Sequence, residues 1–327
     1  MTIVVSIEHP VAAWQVPVSA VTRLRHACPG HEILHATTPD QRADALARSD
    51  VAFTWCLTAD ELRAAPRLRW VHSSAVAVGT LCLEALAARG VVVSNSRQIQ
   101  STPIAEHVFA LLLAMTRQLP LAFERQQRAT WAQNAFTGAH TPSLLRGRCL
   151  GVIGLGSIGA EVARLGAAFG MEVIGMRREP TRGTPPGVSR VFGPPGLDDL
   201  LALADVVVIA APLTAATEAL IDRPRLSRLK PGARLVNVAR GQLVDAAALI
   251  EALESGRLAG AALDVFPDEP LPATHPLWRA PNVVLTPHTS GFRADHWNDV
   301  ADLFAENVRR WDAGEPVLWP VDPARGY

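Results

Sequence analysis

Three observations predict an α/β protein built on doubly wound parallel sheets. Short β-branched runs alternate with amphipathic stretches in two separate blocks of the chain. The string Gly154-Leu-Gly-Ser-Ile-Gly159 stands between a run that reads as a strand and one that reads as a helix. At 327 residues the chain is also long for one hydrophobic core, so length alone suggests two domains. Strand–helix alternation at this spacing implies a parallel sheet with helices on both faces.

In the first block, residues 3–7, 51–55, 70–72 and 91–94 read as strands, and 18–27, 40–47 and 81–89 as helices. Gly90 follows the last of these helices directly, where a left-handed cap is wanted. Residues 104–118 read as a long helix opened by Pro103, placed in the first turn where a missing N–H costs nothing. Apolar residues surround most of it, which predicts burial on more than one side. The second block has strands at 149–153, 172–176, 206–210, 233–238, 261–265 and 283–286, with a helix over 158–169. Residues 182–196, rich in proline and glycine, read as a surface loop, and 295–312 as a final helix. A glycine turn at residue 154 puts its domain in the middle of the chain. Residues 103–290 are therefore expected to form one domain, and 1–102 with 291–327 the other.

Composition narrows the function. Hydrophobic content of 49% with 19% charged residues is that of a globular protein. Thirty-one basic and 31 acidic side chains cancel, leaving no electrostatic footprint for nucleic acid or an anionic membrane. Cys28, Cys56, Cys82 and Cys149 are scattered without a Cys-x-x-Cys pair, so small buried thiols in a reducing compartment are expected, and no metal site. The first residues carry no basic leader or long apolar stretch. The longest apolar runs, such as 206–213, fall far short of the roughly 20 residues that span a bilayer. A cytoplasmic protein is expected.

The glycine turn has a mechanical reading. Gly154 permits the tight turn, Gly156 lets a pyrophosphate approach the backbone, and Gly159 lets helix pack on strand. Leu155, Ser157 and Ile158 complete the turn, and the helix N-terminus offers unpaired N–H groups to phosphates. The carboxylate that would hold an adenosine ribose belongs at the end of the next strand. Arg177 stands there, followed by Arg178. A guanidinium binds a 2′-phosphate that a carboxylate would repel, so NADP is expected, with NAD possible. The alternative is two arginines that only solvate a loop.

Three charged residues follow the turn, each in its own string: Arg240 in Val236-Asn-Val-Ala-Arg-Gly241, Glu269 in Leu263-Asp-Val-Phe-Pro-Asp-Glu-Pro270, and His288 in Asn282-Val-Val-Leu-Thr-Pro-His288. A cation, a carboxylate and an imidazole beyond a dinucleotide turn are the parts needed to reduce a 2-keto acid with hydride. The cation grips the substrate carboxylate, the imidazole delivers a proton to the carbonyl oxygen, and the carboxylate supports the charged imidazole. Taken singly, Arg240 could be solvated and Glu269 a turn residue.

From about Leu68 to Tyr327 these strings resemble the D-isomer-specific 2-hydroxyacid dehydrogenases, in particular the glyoxylate/hydroxypyruvate reductases. The resemblance implies a Rossmann domain inserted into a flavodoxin-like substrate domain, with the active site in the cleft between them, and a homodimer paired through the dinucleotide-binding domain. It also implies that Ala211-Pro212-Leu-Thr-Ala-Ala-Thr217 runs past the nicotinamide-side ribose, that Asp264 meets the nicotinamide carboxamide, and that Val238, Ala239, Ser290 and Gly291 border the cofactor. Asp264 could instead cap its strand. The substrate carboxylate would take backbone N–H groups of Val76 and Ala77 from the loop Ser74-Ala-Val-Ala-Val-Gly79. Trp55 and Leu57 would wall the pocket, or belong to the core. Three positions depart from the family pattern: Ala77 replaces a usual glycine, Pro267 a usual acid, and Arg97 a usual proline, the last favouring a more polar or acidic substrate. The implied activity is reduction of a small 2-keto acid to its D-2-hydroxy acid. The alternatives are a formate or phosphite dehydrogenase, against which Glu269 argues, and a dinucleotide-sensing corepressor on the same fold.

Overall fold

Residues 206–209 read Val-Val-Val-Ile and are buried at all four positions, as a parallel strand covered on both faces must be. The computed structural model describes residues 1–323 and 326. The chain divides into two units, Met1–Gln100 with Phe292–Tyr327, and Ser101–Gly291.

In the first unit, β1 (Thr2–Ser6), β2 (Glu32–His35), β3 (Val51–Thr54), β4 (Trp70–Ser73) and β5 (Val92–Asn95) form a parallel sheet in the order β2-β1-β3-β4-β5. Helices α1 (Val18–Ala27), α2 (Pro39–Arg48), α3 (Ala59–Ala64) and α4 (Leu83–Ala88) make the crossovers. Local chemistry starts them where it should. Thr38 accepts the N–H of Gln41 ahead of α2, and Thr58 with Glu61 forms a reciprocal capping box at α3. Gly90, with φ +68°, takes the left-handed conformation that ends α4. Alternate strand residues feed two cores, one around Ile3, Val5, Phe53 and Trp70, the other around Val4, Ala52, Val71 and Leu86.

The second unit opens with α5 (Ser101–Thr116) and α6 (Leu119–Gln127). Its strands are β6 (Cys149–Ile153), β7 (Glu172–Met176), β8 (Arg190–Phe192), β9 (Val206–Ile209), β10 (Ala233–Asn237), β11 (Leu258–Leu263) and β12 (Val283–Leu285). Between them run α7 (Ser157–Ala168), α8 (Leu197–Leu203), α9 (Arg223–Arg228) and α10 (Ala246–Glu254). All pairings are parallel, in the order β12-β11-β10-β9-β6-β7-β8. Strand order reverses between β6 and β9, the switch point beyond whose carboxyl ends open α/β sheets bind ligands. One face is covered by α5 and α7 around Leu150, Val152, Val173 and Val208, and Phe109 of α5 stacks on Phe169 at 4.9 Å. The opposite face buries Ile153, Ile174, Leu200 and Leu235. In the first unit the last helix, α11 (His296–Asp312), packs Phe304 against Phe53.

The structure departs from the sequence reading in several places, among them the short helices α3, α6, α8, α9 and α10, which the sequence reading does not include. Residues 182–196 are not all loop, because Arg190–Phe192 pairs with β7 and buries Phe192; three residues among prolines and glycines give too short a pattern to read. Strand β2 was not anticipated. The long apolar helix begins at Ser101 and ends at Thr116, before Gln118 at φ +57° turns the chain into α6. Among the described residues, no helix is long and apolar enough to cross a membrane.

Candidate active site

At the end of β6, Gly154 turns the chain at φ +99°, and its N–H and that of Leu155 both donate to Met176 O of β7. A Cβ at Gly154 would stand 2.6 Å from Ala211 N, and one at Gly159 2.0 Å from Gly154 O, so both positions exclude a side chain. Gly156 differs: nothing lies within 4 Å of where its Cβ would be. That open face, beside Ser157 and Ile158 at the start of α7, leaves backbone N–H groups for a phosphate. At the end of β7, Arg177 is half-buried, and its Nε and Nη2 are enclosed without an acceptor among the described residues. Enclosed guanidinium nitrogens without acceptors are costly unless something anionic meets them, so the residues present fit a phosphorylated dinucleotide. Arg178 is exposed. Past β9, Thr217 ties up its own loop, its hydroxyl donating to Pro212 O at 2.8 Å and accepting from Thr214 N.

The three charged residues come from the ends of three neighbouring strands, β10, β11 and β12. Asn237 closes β10 and shapes the turn: its amide donates to Arg240 O at 2.8 Å and its carbonyl accepts from Ala239 N at 3.0 Å. Val238 is buried and Ala239 half-buried in this turn. Gly241 then passes so close to the next loop that a Cβ would meet Phe266 C at 2.0 Å, and Gln242 donates to Pro267 O. The Arg240 loop and the Glu269 loop are thereby seamed together. Burial pushes the Arg240 guanidinium below its usual value, and the charge of Glu269 opposes that shift. One Glu269 oxygen accepts the N–H of Phe266 at 2.9 Å, and the other meets His288 Nδ1 at 2.7 Å. With Nδ1 engaged and the His288 side chain 45% exposed, Nε2 is the ring nitrogen that can exchange a proton with another molecule.

What holds His288 is Asp264, fully buried after β11. Its backbone carbonyl accepts the His288 N–H at 2.8 Å. Its carboxylate accepts Thr286 Oγ1 at 2.6 Å, Thr289 N at 2.9 Å and Ser290 N at 3.0 Å. His288 itself sits at φ +53°, a conformation that costs a non-glycine residue about 1–3 kcal/mol and persists only where its surroundings enforce it. Ser290 and Gly291 are buried behind it. The sequence reading missed Asn237, Gln242, Thr286 and His107, whose Nε2 lies 3.0 Å from Thr286 Oγ1. For His107 a signal existed, an imidazole in a helix otherwise rich in apolar residues.

The remaining candidates lie in the first unit. Asn95 donates to Val76 O at 2.7 Å and so fixes the loop after β4, while the N–H groups of Val76 and Ala77 meet no acceptor among the described residues. Arg97 is half-buried after β5. Trp55 is half-buried, with its ring 4.8 Å from that of His9, whereas Leu57 is 1% exposed and belongs to the core.

Known proteins share this architecture. A family model for the NAD-binding domain of D-isomer-specific 2-hydroxyacid dehydrogenases matches residues 109–290. The chain is 38% identical over 300 residues to the D-3-phosphoglycerate dehydrogenase of Mycobacterium bovis, covering 91% of this chain and 54% of that protein. It thus spans about half the length of the phosphoglycerate dehydrogenases it matches. It is 37% identical over 260 residues to the glyoxylate reductase of Aeropyrum pernix, covering 78% of this chain and 77% of that one. A solved structure of a D-isomer-specific 2-hydroxyacid dehydrogenase from Xanthobacter autotrophicus Py2, in complex with NADPH and MES, superposes with a TM-score of 0.81 at 33% identity, covering 99% of each chain.

Proposed function

The chain belongs to the D-isomer-specific 2-hydroxyacid dehydrogenases, and we propose that it reduces a small 2-keto acid of the glyoxylate or hydroxypyruvate kind to its D-2-hydroxy acid with NADPH. The observation that carries this reading is the contact of His288 Nδ1 with Glu269 at 2.7 Å, which leaves Nε2 for a substrate oxygen. Bound NADPH supplies the hydride. His288 then gives its Nε2 proton to the oxygen as negative charge develops there, and Glu269 stabilises the imidazolium and fixes the ring. Arg240 Nη1 donates to Ala239 O at 2.6 Å, and the remaining guanidinium donors would suit a carboxylate and its adjacent carbonyl. In the first unit taken by itself, the N–H groups of Val76 and Ala77, which meet no acceptor among the described residues, would suit an anionic group.

For the cofactor, the turn from Gly154 to Gly159 would hold the pyrophosphate and Arg177, with Arg178 beside it, the 2′-phosphate. The loops carrying Pro212, Thr217, Val238, Ala239, Asp264, Ser290 and Gly291 would border the ribose and nicotinamide. We further propose a cytoplasmic homodimer paired through the second unit, where Phe123, Trp131 and Leu144 are exposed.

A spectrophotometric assay of NADPH oxidation with glyoxylate, hydroxypyruvate and 3-phosphohydroxypyruvate tests the reading, with chiral analysis of the product. The 38% identity to phosphoglycerate dehydrogenase earns the phosphorylated acid its place. Turnover of the small acids to D-products is expected; no turnover of any 2-keto acid would overturn the proposal.

A further inference from the structure

We infer that His107 is a positioning residue: from α5 its imidazole N–H fixes the Thr286 hydroxyl, and through it the Asp264 carboxylate that holds the loop bearing His288. What the loop does rests on the reductase reading; how it is held does not.

The direction of each hydrogen bond follows from proton counting. A carboxylate can only accept, so the 2.6 Å contact between Thr286 Oγ1 and Asp264 Oδ1 uses the single hydroxyl proton of Thr286. The same Oγ1 lies 3.0 Å from His107 Nε2 and has only lone pairs left to offer. His107 must therefore donate, and in a neutral ring this fixes the proton on Nε2. Burial pushes the His107 imidazole below its usual value, with Asp264 opposing, so the ring suits the role of a neutral donor. His107 Nε2 is also 3.7 Å from Asp264 Oδ1, which brings the positive edge of the ring close to a fully buried carboxylate.

The consequence falls on three consecutive residues. Asp264 accepts the N–H of His288 on its backbone oxygen, and those of Thr289 and Ser290 on its carboxylate. Together these enforce the φ of +53° at His288. Without His107, the Thr286 hydroxyl can rotate toward other acceptors, the carboxylate loses support on the side facing α5, and His288 is no longer held in one place. A reacting group misplaced by about 1 Å can cost a hundredfold in rate; a loosened loop that still samples the right geometry should cost less.

The test compares His107→Phe and Thr286→Val, which break the bridge at different points, with His107→Gln and Thr286→Ser, which keep a donor at Nε2 and a hydroxyl at Oγ1. Hydrogen exchange at Thr289 and Ser290 is measured in each, together with kcat and KM for a 2-keto acid. Both disruptive variants should speed exchange at these two amides about tenfold and lower kcat about tenfold, with KM changing less than about twofold. The conservative variants should restore both, and the double variant should be no worse than either single one. Unchanged exchange at Thr289 and Ser290 in both disruptive variants, or a His107→Gln protein as impaired as His107→Phe, would overturn the inference. If the parent reduces no 2-keto acid, the exchange measurement alone still decides, so failure of the reductase reading is distinguishable from failure of this one.

Discussion

His72 and His288 are the same residue type in two opposite settings. His72 lies within β4 of the first unit, fully buried, its nitrogens 2.7 Å from Ser94 Oγ and 3.2 Å from Ser96 Oγ, among Phe53, Trp70 and Phe304. Every neighbour is neutral, and burial holds it down at about 3. His288 stands past the end of β12 in the second unit, half-exposed, against a carboxylate. One ring is built into a core and the other is offered to solvent. The partner type and the place along the strand, interior or carboxyl end, decide which a histidine becomes.

On that contrast, substitutions at strand ends should change kinetics and leave stability nearly alone. Replacing His288 with Ala should lower kcat by about a hundredfold or more, while the denaturation midpoint stays close to the parent's; a collapse of stability would make His288 a structural residue. Arg240→Lys should follow, with kcat/KM for every accepted keto acid falling at least about tenfold because lysine cannot supply the two-donor fork. NADPH affinity, read by fluorescence titration, should hardly move, and a parallel loss would reassign Arg240 to the cofactor. Arg177→Asp should reverse part of a preference for NADPH that we place at about tenfold or more, since one charge-assisted bond contributes about 1.5–3 kcal/mol. A parent enzyme with equal KM for the two reduced cofactors would remove Arg177 from cofactor choice.

The interior histidine sharpens the comparison from the other side. His72 is held at about 3 in the folded protein and His296, near Trp14 and Trp297, at about 4. Both are depressed, so the unfolded chain binds protons first as pH falls below about 6.5. Stability that is complete above that value should therefore decline toward pH 4, with a slope of up to about 1.4 kcal/mol per pH unit for each such histidine. Urea melts of parent and His72→Gln at pH 7.5 and 5.5, followed by tryptophan fluorescence, measure the difference; an equally steep decline in the variant would show that His72 is not the group responsible.

Much of this architecture was legible in the sequence. Central strands such as β6 and β9 read as unbroken apolar runs because they are covered on both faces, and the glycine turn and the three charged strings are distinctive locally. Strand β2, Glu-Ile-Leu-His, and β8, Arg-Val-Phe, lie at sheet edges, where few residues are buried and little pattern survives. Helix α10 has a capped start, Asp245 accepting the N–H of Ala248, but its alanine-rich run carries little contrast between faces. The supports of the candidate site were harder to see for a different reason. Asp264 reaches Thr289 and Ser290 25 and 26 residues away, and His107 reaches Thr286 across 179. Such contacts exist only once β11 pairs with β12 and α5 packs on the sheet. No local string encodes them.

The close passage at Gly241 has a practical consequence for anyone wishing to alter the substrate range. A single β-carbon there would drive the backbone of Phe266 and Pro267 aside, and with it the segment leading to Glu269. Loop-grafting or insertion libraries that vary residues 239–243 freely would mostly sample proteins whose acid and cation no longer face the same way. A productive library would hold Asn237, Gly241 and Gln242 constant and diversify side chains elsewhere, treating the seam between these two loops as a chassis that new specificities must share.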